Sequence, residues 1–378
     1  MKILHTSDWH VGKVLKGRSR LDEQITALAG VIEIAKNEQP DLILVAGDLY
    51  DTAQPIPEAT RVVTRALTAL RATGADVVVI GGNHDNAAGL DALRSWADAA
   101  GITLRGRVSE KAEDHIIRGT TKSGEKWRCV ALPFLSQRYA VRALEMFELT
   151  EAEAQATYAD HVKRLVSRLS EDARADEVKL IMAHMTVVGG LMGGGEREAH
   201  TILGYAVPAS VFPSDTHYVA LGHLHRAQVM MGACPIRYSG SPIAIDFGEE
   251  ENVPSVTMIE VKADTAATTR PVAVPVAVPL RTIRGTLADL STLDTGDAWL
   301  RVYVQEPARA GLREAVQELF PRALEIRVDV GQQDKGEERI ARAGRSASEL
   351  FADYLTHKGS TDVATQAMFD RLYDEVSS

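Results

Sequence analysis

The chain has 378 residues, 45% of them hydrophobic and 25% charged, with a formal net charge of −10; that length favours two or three domains, and the acidic balance argues against a large, self-sufficient nucleic-acid surface, because duplex affinity rests mainly on basic side chains. No run of about 18 apolar residues marks a membrane span, and the opening MKILHTSDWH is not a signal peptide, so a cytoplasmic location is expected. The two distant cysteines, Cys129 and Cys234, are expected to be reduced core residues rather than a disulfide or a metal site.

Short β-branched runs alternate with helical patterns in the first part of the chain. Strands are predicted at Ile3–Leu4, Leu42–Ala46, Val77–Ile80, Leu180–Ala183 and Val219–Leu221, and helices at Glu58–Ala72 and Leu90–Ala100. This alternation points to an α/β fold with buried sheets. Thr150–Ala175 reads as a polar surface helix inserted into the rhythm, and Gly189–Gly195 as a flexible loop, solvated or facing substrate. After Asp246 only strands follow, and Pro271–Pro279 reads as an edge strand leading to a boundary. A small βαβ unit follows, with Leu300–Val304, helix Ala308–Leu319 and Leu324–Val330; Gly331–Glu338 is a polar linker. The division expected is 1–279, 280–334 and 335–378.

Five motifs each follow a predicted strand: Asp8-Trp-His10, Gly47-Asp48-Leu-Tyr-Asp51, Gly81-Gly-Asn83-His84-Asp85, His184, and Gly222-His223-Leu-His225. Loops at the carboxyl ends of strands are where α/β proteins assemble sites from distant segments. Asp, Asn and His together suit Mn²⁺, Fe²⁺ or Zn²⁺. Two such ions would relieve the charge on a phosphodiester and ionise a water, and a pair needs a bridging carboxylate, for which Asp48 beside Gly47 is the natural residue. Both imidazoles of His223-x-His225 can reach one site only through a bend, which Gly222 would permit. Singly, Asp-x-His, His-x-His or a lone His184 means little, since most such residues are structural; Gly-Asn-His-Asp after a strand is more specific, and the ordered set of five is very unlike chance. His5, His115, His161, His200, His217 and His357 lack this context and are read as structural or surface residues.

The ordered set DWH, GDLYD, GGNHD, AH and GHLH resembles the calcineurin-like metallophosphoesterase superfamily. The opening KILHTSDWHVGK, the run Tyr238-Ser-Gly240-Ser241-Pro242, Phe247-Gly248-Glu249 and the small C-terminal domain narrow the resemblance to the nuclease subunits of bacterial complexes of the SbcCD type. It implies a four-layer α/β/β/α sandwich with a small βαβ capping domain and a helical tail. It also implies two divalent ions, usually Mn²⁺: Asp8, His10, Asp48 and His225 for one, and Asp48, Asn83, His184 and His223 for the other. His84 would act on the leaving oxygen, oriented by Asp85. The activity implied is DNA cleavage, exonucleolytic on duplex ends and endonucleolytic on single strands and hairpins. A calcineurin-like enzyme acting on a cyclic nucleotide or phosphoprotein is the alternative, and a scaffold without activity a third.

The resemblance also implies partners. Helices Glu58–Ala72 and Leu90–Ala100 would pair in a homodimer within a heterotetramer, although for any single residue, such as Val62 or Leu93, core packing is the favoured reading. Lys13, Lys16, Arg18, Arg20 and Arg226 are candidate phosphate contacts, or ordinary surface charge. In the tail, Ser346-Ala-Ser-Glu349 matches a capping box. Ala347, Leu350, Phe351, Tyr354 and Leu355 form one apolar stripe ended by Gly359; Met368, Phe369, Leu372, Tyr373 and Val376 form a second. Two such helices are expected to dock on an SbcC-like ATPase subunit rather than fold back on the nuclease domain.

Overall fold

The computed structural model describes residues 1–109, 111–136, 158–196, 206–275, 278–328, 348, 351–352, 354–355 and 363–377. The chain lays down most of one sheet, crosses to a second, and returns. Strands β1 (Lys2–Thr6), β2 (Leu42–Ala46), β3 (Asp76–Ile80) and β4 (Ile102–Arg105) run parallel. Helices α1 (Leu21–Glu38), α2 (Pro57–Arg71), α3 (Ala87–Ala92) and α4 (Arg94–Ala99) connect them. The second sheet comprises β5 (Ile116–Thr120), β6 (Lys126–Leu132), β7 (Glu177–His184), β8 (Tyr218–Gly222), β9 (Gln228–Met230) and β10 (Ile236–Tyr238), with helix α5 (Tyr158–Ser170) crossing from β6 to the parallel β7. Strands β11 (Ser255–Lys262) and β12 (Thr265–Ala273) then complete the first sheet as its antiparallel edge.

The two sheets face each other, and period-two side chains sort the core. In LILVA, Leu42, Leu44 and Ala46 pack between the sheets with Leu180, Met182 and Ala220. Ile43 and Val45 point the other way, to Val31 and Leu67 on the outer helices. A strand covered on both faces reads as a continuous apolar run. Helix α5 closes the far side, burying Tyr158, Val162, Leu165, Val166 and Leu169 against the second sheet. The architecture is therefore the four-layer α/β/β/α sandwich, with both cysteines buried and free.

Several expectations need correction. The polar surface helix expected over Thr150–Ala175 is, in its described part α5, the fourth layer of the sandwich; its buried residues recur every three or four positions among exposed charges, and the charges masked the stripe. Residues 150–157 lie outside the described residues. Leu90–Ala100 is two short helices, because the Leu93 N–H turns back to the Leu90 carbonyl at 3.0 Å. The edge strand begins at Thr265 and ends at Ala273, before most of Pro271–Pro279. Val62 and Leu93 pack partly buried on the outer core, with part of each side chain left exposed.

The C-terminal unit is larger than a βαβ. Strands β13 (Leu280–Gly285), β14 (Trp299–Val304) and β15 (Ala323–Val328) form a parallel sheet, with α6 (Leu287–Leu290) and α7 (Leu312–Leu319) covering one face over Ile283, Leu300, Val302 and Val304. The other face carries Arg284, Tyr303 and Arg327 side by side in register. The unit seats on the sandwich through Leu280, Leu15 and Phe247, and the Trp299 indole donates to Glu23 at 2.7 Å. The linker 331–338, the Ser346–Glu349 box and Gly359 lie wholly or largely outside the described residues. In the tail, helix α8 (Val363–Ser377) brings Phe369 onto Phe351 with ring centroids 4.0 Å apart.

Candidate metal centre

The site is built where parallel strands of both sheets end. Asp8 and His10 follow β1, Asp48 follows β2, Asn83 and His84 follow β3, His184 ends β7, and His223 and His225 follow β8. The backbone is strained there. Asp8 (φ 55°), His10 (47°), Asp48 (51°) and His223 (104°) all adopt left-handed conformations without being glycine. Such residues cluster at functional sites and persist where surrounding structure over-determines them. The bend expected at Gly222 falls on His223 instead. Gly222 is needed for room, since a Cβ there would overlap the Ala46 carbonyl oxygen and press on His184.

All seven expected ligand residues meet in one pocket. Oxygen or nitrogen atoms of Asp8, His10, Asp48 and His225 lie within 4.8 Å of one another, as do those of Asp48, His184 and His223. Asn83 Oδ1 joins the second group, 2.9 Å from His184 Nε2 and 2.7 Å from His223 Nδ1. Asp48 belongs to both groups. His10 Nε2 and His225 Nε2 face each other at 3.1 Å.

Hydrogen bonds fix the frame. Asp8 accepts from the His223 N–H at 2.9 Å and the Ser7 hydroxyl at 2.6 Å, while Ser241 Oγ donates to the Asp8 carbonyl at 2.7 Å. Asp48 Oδ1 accepts from the His84 N–H at 2.8 Å. His184 Nδ1 bonds the Ala46 carbonyl at 2.8 Å, leaving Nε2 for the pocket. Asp85 does not hold His84 in the way expected. Its carboxylate accepts from the N–H groups of Leu49, Tyr50 and Gly82 at 3.2, 3.0 and 2.8 Å, so it braces the loops. His84 Nδ1 bonds the Asp51 carbonyl at 2.7 Å instead. At 6% exposure His84 is more open than His10, His184, His223 or His225, at 1%, 0%, 2% and 3%. Its ring stands edge-on to His10, centroids 4.5 Å apart.

The electrostatics favour a cation. Burial pushes the Asp8 carboxyl up to about 6. Burial also opposes charge on Asp48, but the neighbouring imidazoles outweigh it and hold the carboxyl well below its ordinary range. Burial likewise opposes charge on His184, yet Asp48 lifts it to about 9. His225 rises to about 10 against the cost of burial, because Glu249 lies beside it. His10, by contrast, is driven down to about 3 by burial. The carboxylates draw protons onto two buried imidazoles, and a divalent ion would take the place of that positive charge as the protons leave. The buried His10 Nδ1 lies 3.4 Å from Asp51 Oδ1 and makes no hydrogen bond of good geometry. These residues fit two divalent ions that share Asp48.

Sequence reasoning missed the surrounding shell. Glu249 and Glu196 both contact His225, and Phe134 lies against His223 with ring centroids 6.3 Å apart. Phe247-Gly248-Glu249 stands out as a motif, but nothing in it signals a contact across 24 residues. Other expectations changed as well. Lys13 pairs with Asp51 at 3.2 Å, Lys16 with Glu325 at 3.4 Å, and Arg18 lies over Trp299. Arg20 is 1% exposed and paired with Glu23, so it is structural; Arg226 remains exposed. His5 and His115 are buried and bonded to the Tyr218 hydroxyl and the Ala131 carbonyl, and His161 is buried. His217 bonds the Lys179 N–H just before β8. His200 and His357 lie outside the described residues.

Fold and pocket together define a metallophosphoesterase, and residues 1–227 match the calcineurin-like phosphoesterase family, while residues 276–358 match the type 5 capsule protein repressor C-terminal domain. The chain is 33% identical over 392 residues to the SbcD subunit of the nuclease SbcCD from Bacillus subtilis (strain 168), covering 100% of this chain and 98% of that one. It is 36% identical over 291 residues to the corresponding SbcCD nuclease subunit of Rhodobacter capsulatus, covering 74% and 71% of the two chains. It is 31% identical over 298 residues to that of Escherichia coli (strain K12), covering 77% and 72%. The chain belongs to the SbcD family of calcineurin-like phosphoesterases, the nuclease subunits of SbcCD. Among the described residues no helix is long and apolar enough to cross a membrane.

Proposed function

We propose that this chain is the metal-dependent DNA nuclease subunit of an SbcCD-type complex, a double-strand 3′–5′ exonuclease and single-strand and hairpin endonuclease acting in cytoplasmic DNA repair, recombination and replication. One observation carries the reading: seven ligand-type side chains from five strand ends converge on one pocket beside His84, the most open of its five imidazoles. Two divalent ions bound there, Mn²⁺ by preference, would neutralise phosphate oxygens and ionise a bridging water. His84, its Nδ1 anchored on the Asp51 carbonyl, would give a proton to the leaving oxygen through Nε2. Asp85 acts indirectly by bracing the loops of Asp48 and Asn83.

A polyanionic substrate is favoured over a small ester by the C-terminal sheet. Guanidinium carbons of Arg284, Arg301 and Arg327 lie 3.9, 5.7 and 5.8 Å from the Tyr303 ring centroid. A basic row with an aromatic centre suits strand backbone and bases. The C-terminal helices are read as the attachment to an SbcC-like ATPase subunit. Phe351 and Phe369 cover each other, yet Tyr354, Met368 and Leu372 remain 53%, 52% and 50% exposed. Such a residual face is what a partner groove would cover. Homodimerisation within a heterotetramer completes the proposal, by resemblance.

The test is a Mn²⁺-supplemented assay on single-stranded and hairpin DNA beside cyclic nucleotides. DNA should be cleaved and cyclic nucleotides spared; the reverse would overturn the reading. His84→Gln should lose roughly 10²–10⁴-fold in rate while Mn²⁺ binding is unchanged, and a matching loss of metal would remove His84 from the role given.

A further inference from the structure

The His225 imidazole is held from behind by a carboxylate that the proposed chemistry does not use. Glu249 is 1% exposed. Its Oε1 lies 2.7 Å from His225 Nδ1, and its Oε2 accepts from the Ile245 N–H at 2.8 Å, so both oxygens are committed. Nδ1 is thereby the nitrogen that donates, and Nε2 is the one presented to the pocket, where it meets His10. Glu249 ends the single turn Phe247–Glu249, which Asp246 caps by accepting from the Gly248 N–H at 3.2 Å. The buried Phe247 ring anchors this turn between Leu15 and Leu280, under the Arg301 guanidinium. The carboxylate therefore sits on a fixed support.

Glu196 provides a contrast. It accepts from the N–H groups of His225 at 3.0 Å, Gly193 at 2.6 Å and Gly194 at 2.8 Å. It holds the main chain and the glycine-rich loop, whereas Glu249 holds the ring.

We propose that Glu249 is the positioning residue of His225, and that it sets one of the two metal positions selectively: that of Asp8, His10, Asp48 and His225. A carboxylate on the rear nitrogen of a ligating imidazole fixes its tautomer and orientation and raises its basicity. The position formed with Asn83, His184 and His223 has no contact with Glu249 of this kind, since His184 is fixed by the Ala46 carbonyl. The inference rests on the two-ion reading of the pocket.

The experiment is a Mn²⁺ titration of the metal-free full-length chain, followed by electron paramagnetic resonance, on wild type, Glu249→Gln, Glu249→Asp, His225→Ala and Asn83→Ala. A glutamine matches the shape but offers one acceptor, so either the His225 Nδ1–H or the Ile245 N–H goes unsatisfied. Glu249→Gln should weaken one class of site by roughly 10–100-fold and leave the other unchanged. His225→Ala should weaken the same class at least as much, and Asn83→Ala the other class. Glu249→Asp, which keeps the charge but is one methylene short, should show a smaller loss in the same class and serves if the glutamine variant does not fold. Either folded Glu249 variant that weakens both classes alike, or neither, overturns the proposal while the metal reading stands. A wild-type chain that binds no Mn²⁺ overturns both.

Discussion

The pocket at the strand ends and the helix-free face of the C-terminal sheet both carry charge, but they place it differently. In the pocket Asp8, His10, Asp48 and His184 are 0–1% exposed, and each is tied to backbone or to a neighbouring side chain. On the C-terminal sheet Arg284 is exposed, and Arg327, 54% exposed, pairs with Glu325 at the surface and lies over the Tyr303 ring. Surface pairs of this kind contribute little to stability, so such a cation can exchange partners. The net charge of −10 averages over these regions. It conceals a separation in which acidic and imidazole groups gather in the pocket and arginines gather on the C-terminal sheet.

Asp48→Asn should break the pocket side of this comparison most severely. Asp48 is shared by both groups of ligand atoms, so a neutral amide there should weaken both ions together and take cleavage below detection, measured by Mn²⁺ binding and nuclease assay on one preparation. Selective loss of one ion would deny it the bridging position. The sheet side predicts a smaller effect of another kind. Arg284→Ala with Arg327→Ala should weaken single-strand binding while leaving metal binding intact. The slope of log affinity against log salt should shrink by about 0.7 for each phosphate that is no longer neutralised. An unchanged slope in a filter-binding series would show that the row does not meet phosphate.

The smallest effect concerns acid. Burial drives His5 down to about 3, so the folded protein keeps it neutral. Below about 6.5 the unfolded chain takes up a proton that the folded chain refuses, and the stabilisation His5 contributes falls as the pH drops from there toward 3. The stability difference between wild type and His5→Asn should therefore shrink on acidification, by at most about 1.4 kcal/mol per pH unit, in chemical denaturation from pH 7 to 5. A difference independent of pH would mean that His5 is not held neutral. The C-terminal sheet supplies the control, because among its described residues the buried core is entirely apolar.

The strand runs of the sandwich were legible because a strand buried on both faces is apolar throughout, as in LILVA and LIMA. Each motif was legible because the chain breaks at the strand end into Gly, Asp, Asn and His. Helix α5 was misread because its charges are numerous and its stripe narrow. Helix α1 is harder to read because Glu23 and Gln24 share its buried face with Ala27, Leu28, Val31 and Ala35. The basic residues near Lys13 were read as candidate phosphate contacts or ordinary surface charge, because sequence shows a charge but not its partner.

The sequence by itself determined the donor types, their order, and the punctuation that ends each strand, since these depend on side-chain chemistry and on local backbone preferences. Only the tertiary structure decided which nitrogen of each imidazole faces the pocket, that Asp51 rather than Asp85 bonds the His84 ring, that the bend falls on His223 rather than Gly222, and that Glu249 stands behind His225. Those outcomes are set by distances between segments far apart in the chain. Such distances follow from how two twisted sheets pack, to which no local pattern of residues corresponds.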